Sequence, residues 1–264
     1  QNESSARVQC TSFAHRYREG DPTANPAFQR TRRRSRDTPP SFDVLFHEHQ
    51  FTPSANYTED PLTESTSPSD CPGISIVFHS GNGHTTEMSR AVARGASAAG
   101  NVSVVEHQIS DADFKGGRWQ NDDVLSRLDA SDAIIFGSPT YMGGVSAQLK
   151  SFMDSTSSRY LQRKWVDKIA AAFTVSGLPS GDKHNMLLTC ATFAMQHGMI
   201  WVGVAESPVT GDGYNRLGFF FGAAGQALFE PPSEAPSAED KRTGEMLGRR
   251  VATLTRRLYD NRRT

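Results

Sequence analysis

The sequence predicts a three-layer α/β sandwich in which helices cover both faces of a five-stranded parallel sheet of order 2-1-3-4-5. Short apolar stretches rich in branched residues alternate with longer stretches whose apolar residues follow helical spacing. The strands are predicted at 74–79, 102–107, 132–137, 168–175 and 199–204. The helices are predicted at 84–99, 121–130, 145–157, 184–197 and 238–259. Residues 72–264 are long enough to bury a single core of this kind.

The first strand leads through a small, hydroxyl-rich loop into the first helix. At a helix start the backbone N–H groups lack intrahelical partners, and the helix dipole places positive charge there. Such a loop is suited to binding a phosphate group. Its residues are Ser80, Gly81, Asn82, Gly83, His84, Thr85 and Thr86.

Three other loop types compete for this stretch. A Walker loop is excluded because no Lys follows the second glycine. A nucleophile elbow is excluded because Ser80 has no glycine two residues before it. A dinucleotide fingerprint fits better, since Glu106 lies near the expected ribose position, but Thr86 occupies the place of the third glycine. The loop alone leaves a mononucleotide, a dinucleotide and a structural turn open, and its hydroxyl donors favour a terminal phosphate.

Two further loops follow predicted strands and end at the same sheet edge, because the carboxyl ends of parallel strands line one crevice. In the second loop Pro139 restricts the backbone, and Tyr141 and Met142 can lie against an apolar ring. Gly143 and Gly144 would let backbone N–H groups approach a polar ring edge. The third loop, residues 176–182, reads SGLPSGD. The sequence therefore predicts three loops around one ligand.

The order of these motifs resembles the flavodoxin-like family and, within it, the WrbA-type NAD(P)H:quinone oxidoreductases and NADPH-dependent FMN reductases. Ser80-x-x-Gly83-His84 resembles that family's phosphate loop, Gly137-x-Pro139-Thr140 its isoalloxazine loop, and His197-Gly198-Met199 the histidine at its flavin site. The resemblance covers about residues 72–258. Two segments depart from the family pattern: Tyr141-Met142-Gly143-Gly144 stands where Arg-Phe-Gly-Asn is usual, and SGLPSGD stands in place of a run of glycines.

This resemblance implies FMN as the cofactor, NAD(P)H as the electron donor and a quinone as the acceptor, with both substrates using one pocket in a ping-pong cycle. His197 is the implied hydrogen-bond donor or proton source for the quinone, although a histidine at a helix end is also typical of a C-terminal cap. Tyr141 is the second predicted catalytic residue. The predicted FMN-binding residues are Ser80, Gly81, Asn82, Gly83, His84, Thr85, Thr86, Pro139, Thr140, Tyr141, Met142, Gly143, Gly144, Ser176, Gly177, Leu178, Ser180 and Gly181.

Two other functions stay open at this point. A flavodoxin-type electron carrier would have the same fold and cofactor, but such carriers are usually strongly acidic, and the formal net charge here is −1. A flavin-binding regulatory protein without turnover is the second alternative. Neither nucleic acid nor a membrane is an expected partner.

Residues 1–71 differ in character and are predicted to be a disordered extension of the FMN-binding domain at 72–264. The first forty residues contain eight arginines and four acidic residues, whereas residues 41–70 contain six acidic residues and no Lys or Arg. The three cysteines form no C-x-x-C pair, which indicates reduced thiols and a cytoplasmic location. No apolar run is long enough for a membrane span, and no metal site is predicted.

The connection at 205–236 contains the run Phe219-Phe220-Phe221. Three consecutive rings cannot all lie on one side of an extended chain, so at least one should be exposed in a monomer. In the resembled family this region helps to build subunit contacts near the flavin. The sequence therefore predicts a homo-oligomer, either a tetramer or a dimer.

Overall fold

The computed structural model describes residues 71–263. The predictions on the arginine-rich and acidic extension lie outside these residues. The strands are β1 (Gly73–His79), β2 (Ser103–Ile109), β3 (Phe114–Lys115), β4 (Arg118–Trp119), β5 (Ala133–Tyr141), β6 (Gly144–Val145), β7 (Ile169–Ser176), β8 (Ile200–Trp201) and β9 (Ala223–Gln226). The helices are α1 (His84–Ala98), α2 (Asp122–Ala130), α3 (Ala147–Ser155), α4 (Ser157–Leu161), α5 (Lys183–Gln196) and α6 (Ala238–Arg263).

The central sheet has the order β2-β1-β5-β7-β8, and these strands are parallel, so the predicted order 2-1-3-4-5 is confirmed. The sheet has seven strands in place of five, because β6 pairs with β5 and β9 pairs with β7. The predicted fifth strand ends early. Val204 N–H donates to Phe220 O at 3.0 Å, a partner in the following connection. The carboxyl half of β7 therefore pairs with β9.

Helices lie on both faces of the sheet, and each face has its own apolar core. Alternate residues of β1 point to opposite faces, as the pleat requires. Ile76 belongs to the core beneath α1 and α6, together with Val92 and Leu247. Val77 belongs to the core beneath the other helices. That second core also contains Leu128 of α2, Phe152 of α3 and Leu187 of α5.

Three local features differ from the predicted elements. The helix predicted at 145–157 is two helices, because Thr156 stands at the junction and donates its hydroxyl to Met153 O at 2.7 Å. The loop after β2 contains the short hairpin β3–β4, whose Trp119 packs edge-on against Phe152 with ring centroids 5.1 Å apart. Strand β5 continues to Tyr141 and so carries most of the second loop.

The remaining sequence expectations concern thiols, metals and membranes. Cys190 is buried in the second core, and burial raises the pKa of its thiol, which keeps it unreactive. Among residues 71–263, no three His, Cys, Asp or Glu side chains are grouped as a metal site would need. Within the same residues, no helix combines the length and the apolar character needed to cross a bilayer.

Candidate functional site

The three predicted loops meet at the carboxyl ends of β1, β5 and β7, around a cavity of about 190 Å³. Nine of the residues predicted from the sequence line it. They are Gly81, Asn82, His84, Thr85, Pro139, Thr140, Tyr141, Ser176 and Gly177. The remaining lining residues are Val175, Ala227 and Leu228. The parallel strand order is therefore what assembles this site from segments far apart in the sequence.

Ser80 shapes the first loop from within. Its Oγ accepts hydrogen bonds from Gly83 N–H at 3.1 Å and from Thr86 N–H at 3.3 Å. Gly83 is the N-cap of α1 and has no side chain with which to cap the helix. The N–H groups of the first turn therefore have no intrahelical acceptor, and the residues that follow the cap, His84 and Thr85, line the cavity. The positive end of α1 points at the ligand space.

Thr85 and His84 present different groups to this space. The Thr85 side chain is 2% exposed and lies at the cavity wall. His84 donates from Nε2 to the carbonyl of Glu230 at 2.7 Å, so its ring is held by the connection between β9 and α6. Its backbone therefore remains the part available to a phosphate. Thr86, although predicted to bind the cofactor, is not among the lining residues.

The second loop is a tight hairpin between β5 and β6. Met142 and Gly143 occupy its two central positions with φ of 46° and 80°, the signs that a type I′ turn requires. Asn185 of α5 fixes the turn by donating from Nδ2 to Gly143 O at 2.7 Å. Met142 is fully exposed at the tip. Of this loop, Pro139, Thr140 and Tyr141 line the cavity, whereas Met142, Gly143 and Gly144, which were also predicted to bind FMN, do not.

Two side chains that lie beneath the third loop donate hydrogen bonds to its backbone. Gln226 of β9 donates from Nε2 to Gly177 O at 3.3 Å, and the Lys183 ammonium donates to Leu178 O and, at 3.3 Å, to Pro179 O. Lys183 is fully buried, and burial lowers its pKa to about 8. Leu178, Ser180 and Gly181, which the sequence predicted to bind FMN, do not line the cavity. Leu178 and Gly181 lie next to the ammonium, and Ser180 O accepts from the Lys183 backbone N–H at 3.1 Å.

His197 does not lie with the three loops of its own chain, so a single chain does not bring it to the cavity, and its role at a flavin stays a prediction. Helix α5 begins after the third loop and leads back to β8, whose Ile200 pairs with Ile169, the first residue of β7. A helix of 14 residues spans about 20 Å. His197 therefore lies at the amino-terminal edge of the sheet, opposite the cavity, where it is the C-cap residue of α5.

His197 has a defined environment at that edge. It lines a groove of about 410 Å³ between α3, α4 and α5, next to Tyr160 and Phe193, and its ring lies 4.6 Å from that of Trp165. Burial lowers its pKa to about 4, so the ring is neutral at pH 7. Thr156 donates its hydroxyl hydrogen to Met153 O, so His197 Nε2–H is the donor across the 3.0 Å contact with Thr156 Oγ1. Nδ1 is therefore an acceptor, and it has no partner among the described residues.

Two parts of the site were not predicted from the sequence. Leu228 follows β9, and its side chain packs over Gly177 and lines the cavity. A Cβ atom at position 177 would overlap the Leu228 side chain. Lys183 was missed because charged side chains are rarely fully buried, and nothing in the local pattern marks this one. The long connection at 205–236 was a signal for the first of these, since loops of that length are often functional.

Residues 78–211 match the family described as NADPH-dependent FMN reductase. The chain belongs to that family. It is 35% identical to flavodoxin FldP of Pseudomonas aeruginosa over 189 residues, which cover 70% of this chain and 97% of that protein. It is 32% identical over 199 residues to an NAD(P)H dehydrogenase (quinone) of Archaeoglobus fulgidus, with 70% of this chain and 98% of that protein covered.

A solved structure gives the same assignment. The WrbA-like flavodoxin of Agrobacterium tumefaciens is 34% identical and superimposes with a TM-score of 0.56, over 70% of this chain and 98% of that one. The resemblance to the flavodoxin-like, WrbA-type family is thus confirmed. The predicted cofactors, FMN with NAD(P)H as electron donor, are those of the family.

The residues of the cavity fit FMN. The start of α1 supplies N–H donors for a phosphate dianion, and the Thr85 hydroxyl lies beside them. Ser176 Oγ is buried without a hydrogen-bond partner among the described residues, so it is a polar group available to a ligand at the third loop. The Tyr141 hydroxyl lies directly over Gly81, and a Cβ atom at position 81 would overlap that hydroxyl. Tyr141 and Leu228 are half-exposed side chains in the cavity wall.

Proposed function

We propose that the protein is an FMN-dependent oxidoreductase that reduces quinones with NAD(P)H. The observation that carries this proposal is the meeting of three loops around one cavity, with the start of α1 on one side and the apolar groups of Tyr141 and Leu228 on the other. The identity with NAD(P)H dehydrogenases (quinone) supports it.

Bound FMN supplies the redox chemistry, in which NAD(P)H gives up a hydride and a quinone takes two electrons and two protons, one of them from solvent. The residues of the chain would bind the cofactor and orient the substrates. Backbone N–H groups of the first loop and Thr85 would hold the phosphate, and the peptide groups near Gly177 would face the ring. Met142, fully exposed at the hairpin tip, would cover an apolar substrate that lies on the ring.

We expect parallel initial-velocity lines when NADPH and benzoquinone are varied together, because one cavity must serve both substrates in turn. The purified protein should be yellow, and NADPH oxidation should depend on the quinone. A colourless protein that binds no added FMN would contradict the proposal itself. Intersecting lines, with both substrates bound at once, would contradict only the ping-pong order.

An electron carrier is the second candidate, and the 35% identity with flavodoxin FldP favours it. The two functions differ in one measurable respect. A carrier binds FMN and accepts electrons from a protein donor, but it does not oxidise NADPH with benzoquinone at a catalytic rate. The same purified, yellow protein therefore distinguishes the two, and the cytoplasmic location remains a prediction in both cases.

We also propose that the active protein is a homo-oligomer, with a tetramer expected. Phe219 packs against the second core, whereas Phe220 and Phe221 are 51% and 38% exposed, so the expectation of exposed rings is met. Phe221 packs edge-on against His184 of α5 with ring centroids 5.0 Å apart, and Leu188 and Met195 are exposed on the same helix. This apolar surface favours a contact with a second copy.

The position of His197 gives a second reason to propose a homo-oligomer. The family resemblance puts this histidine at a flavin, and its own cavity is at the opposite sheet edge, so the flavin it serves would belong to another copy. There its neutral ring would accept a hydrogen bond from a hydroquinone hydroxyl. Light scattering at micromolar concentration should give the mass of an oligomer, and His197→Ala should lower quinone turnover without weakening FMN binding. A monomer with full quinone reductase activity would rule this arrangement out.

A further inference from the structure

Lys183 is a buried charge that the reaction outlined above does not use. Its side chain has no exposure to solvent, although it stands at the first position of α5, directly after the third loop. Burying an ammonium is costly unless it is paired or hydrogen-bonded. Its ammonium donates hydrogen bonds to the carbonyl oxygens of Leu178 and Pro179. The chain therefore keeps a charge at a place where an apolar residue would be easier to bury.

The charges nearest Lys183 leave it uncompensated. Asp240 of α6 raises its pKa and Arg216 lowers it, and these two form an ion pair with each other at 2.8 Å. Asp240 also accepts from Gln226 N–H at 2.9 Å. The carboxylate is thus already balanced by a guanidinium, and the cluster of Lys183, Arg216 and Asp240 carries a net positive charge.

The ammonium lies one residue behind the cavity wall. A Cβ at Gly181 would stand 3.3 Å from Lys183 Nζ and would overlap Ser176 Oγ, so the ammonium and this hydroxyl flank the same small space. Ser176 lines the cavity. Because Lys183 is buried, its charge is screened less than an exposed charge would be, and its field acts on the cavity beside Ser176.

The same contacts set the orientation of the third loop. Gln226 and Lys183, which lie beneath the loop, donate hydrogen bonds to its carbonyl oxygens at residues 177, 178 and 179. These oxygens carry partial negative charge and would repel a ring that gains electrons. With them turned towards Gln226 and Lys183, the loop presents its less negative side to the cavity.

We propose that Lys183 is a positioning residue that stabilises the reduced form of FMN over the oxidised form, by its charge and by its hold on the third loop. This inference rests on the proposed FMN site. It adds a source of positive potential at Lys183, the residue directly after the SGLPSGD segment.

The test compares Lys183→Met with Lys168→Met. Lys168 is a matched control because it is also a buried lysine with a pKa lowered to about 8, and it also donates to backbone carbonyls, including Asp129 O at 2.6 Å. It precedes β7, at the sheet edge opposite the cavity. Both variants lose a buried charge and its carbonyl bonds. Only Lys183→Met loses them beside the FMN site.

The readouts are the dissociation constant of oxidised FMN, from fluorescence quenching, and the two-electron midpoint potential at pH 7. In Lys183→Met we expect the affinity for reduced FMN to fall about tenfold more than that for oxidised FMN, which lowers the midpoint potential by about 30 mV. Lys168→Met should keep the wild-type potential even where its thermal stability falls.

Lys183→Gln keeps a donor for the carbonyl oxygens without the charge and serves if Lys183→Met does not fold. A wild-type potential in a folded, FMN-bound Lys183 variant would overturn the inference, as would an equal loss of affinity for both forms of FMN. Wild-type protein that binds no FMN would instead contradict the proposed function, so the two failures are distinguishable.

Discussion

Thr85→Val should weaken FMN binding roughly 10- to 100-fold. The Thr85 hydroxyl is buried at the cavity wall beside the start of α1, where the phosphate is expected. A hydrogen bond to a charged group contributes about 1.5 to 3 kcal/mol, and every 1.4 kcal/mol changes a dissociation constant about tenfold. Valine preserves the branched shape, so the loss reports the hydroxyl. Fluorescence titration of the apoprotein with FMN measures it.

Thr86→Val is the matched control for that variant. Thr86 is the next residue, but its N–H is bound to Ser80 Oγ and its side chain does not line the cavity. We therefore expect its FMN affinity to stay within about threefold of the wild type, since surface substitutions usually change free energies by less than about 0.5 kcal/mol. If Thr86→Val were as weak as Thr85→Val, the phosphate would have to lie further along α1.

Gly95→Ala should lower the free energy of unfolding by about 2 to 3 kcal/mol, in the upper part of the usual range for overpacking. A Cβ at Gly95 would overlap the backbone of Glu245 in α6, and a Cβ at Gly248 of α6 would overlap Val92 O of α1. The two helices thus touch backbone to backbone. Because backbone atoms cannot turn away as a side-chain end can, the helices must separate.

Urea denaturation measures this loss, and Ser97→Ala is its control. Ser97 lies on the exposed face of α1, where alanine is the better helix former. We expect Ser97→Ala to be neutral or slightly stabilising and Gly95→Ala to have a lower midpoint with an unchanged slope. Gly95→Ala should also bind FMN more weakly, since α1 carries the phosphate loop. A stable Gly95→Ala variant would show that the helix contact is looser than described.

Much of the fold was predictable because periodicity is a local signal. The short apolar run of β1 and the apolar stripe of α6 follow from the sequence, and the parallel sheet follows from the regular alternation of strands and helices. The early end of the fifth strand, β8, was not predictable. It depends on the bond between Val204 and Phe220, which joins residues far apart in the sequence. Strand β9, made of Ala223–Gln226, has none of the branched residues that mark strands.

The site was predictable to the extent that loops after parallel strands must meet. The lining by Thr85, Tyr141 and Ser176 follows from that rule. The position of His197 follows from the same rule, because a helix that starts at the carboxyl end of one parallel strand ends near the amino end of the next, whereas the His197-Gly198-Met199 motif indicated the other edge. Lys183 was not predicted from the sequence, for a different reason. Its burial results from the packing of the third loop and from the charges on α6, which no short segment of sequence contains.

The contact between α1 and α6 also orders events during synthesis. The amino-terminal end of α1, which lines the cavity, precedes the start of α6 by about 150 residues, a stretch that a ribosome takes roughly 8 to 30 seconds to translate. Until α6 emerges, the glycine face of α1 and the apolar residues around Val92 have no cover. A nascent chain would therefore expose this face to chaperones and would acquire its cofactor only after α6 has docked.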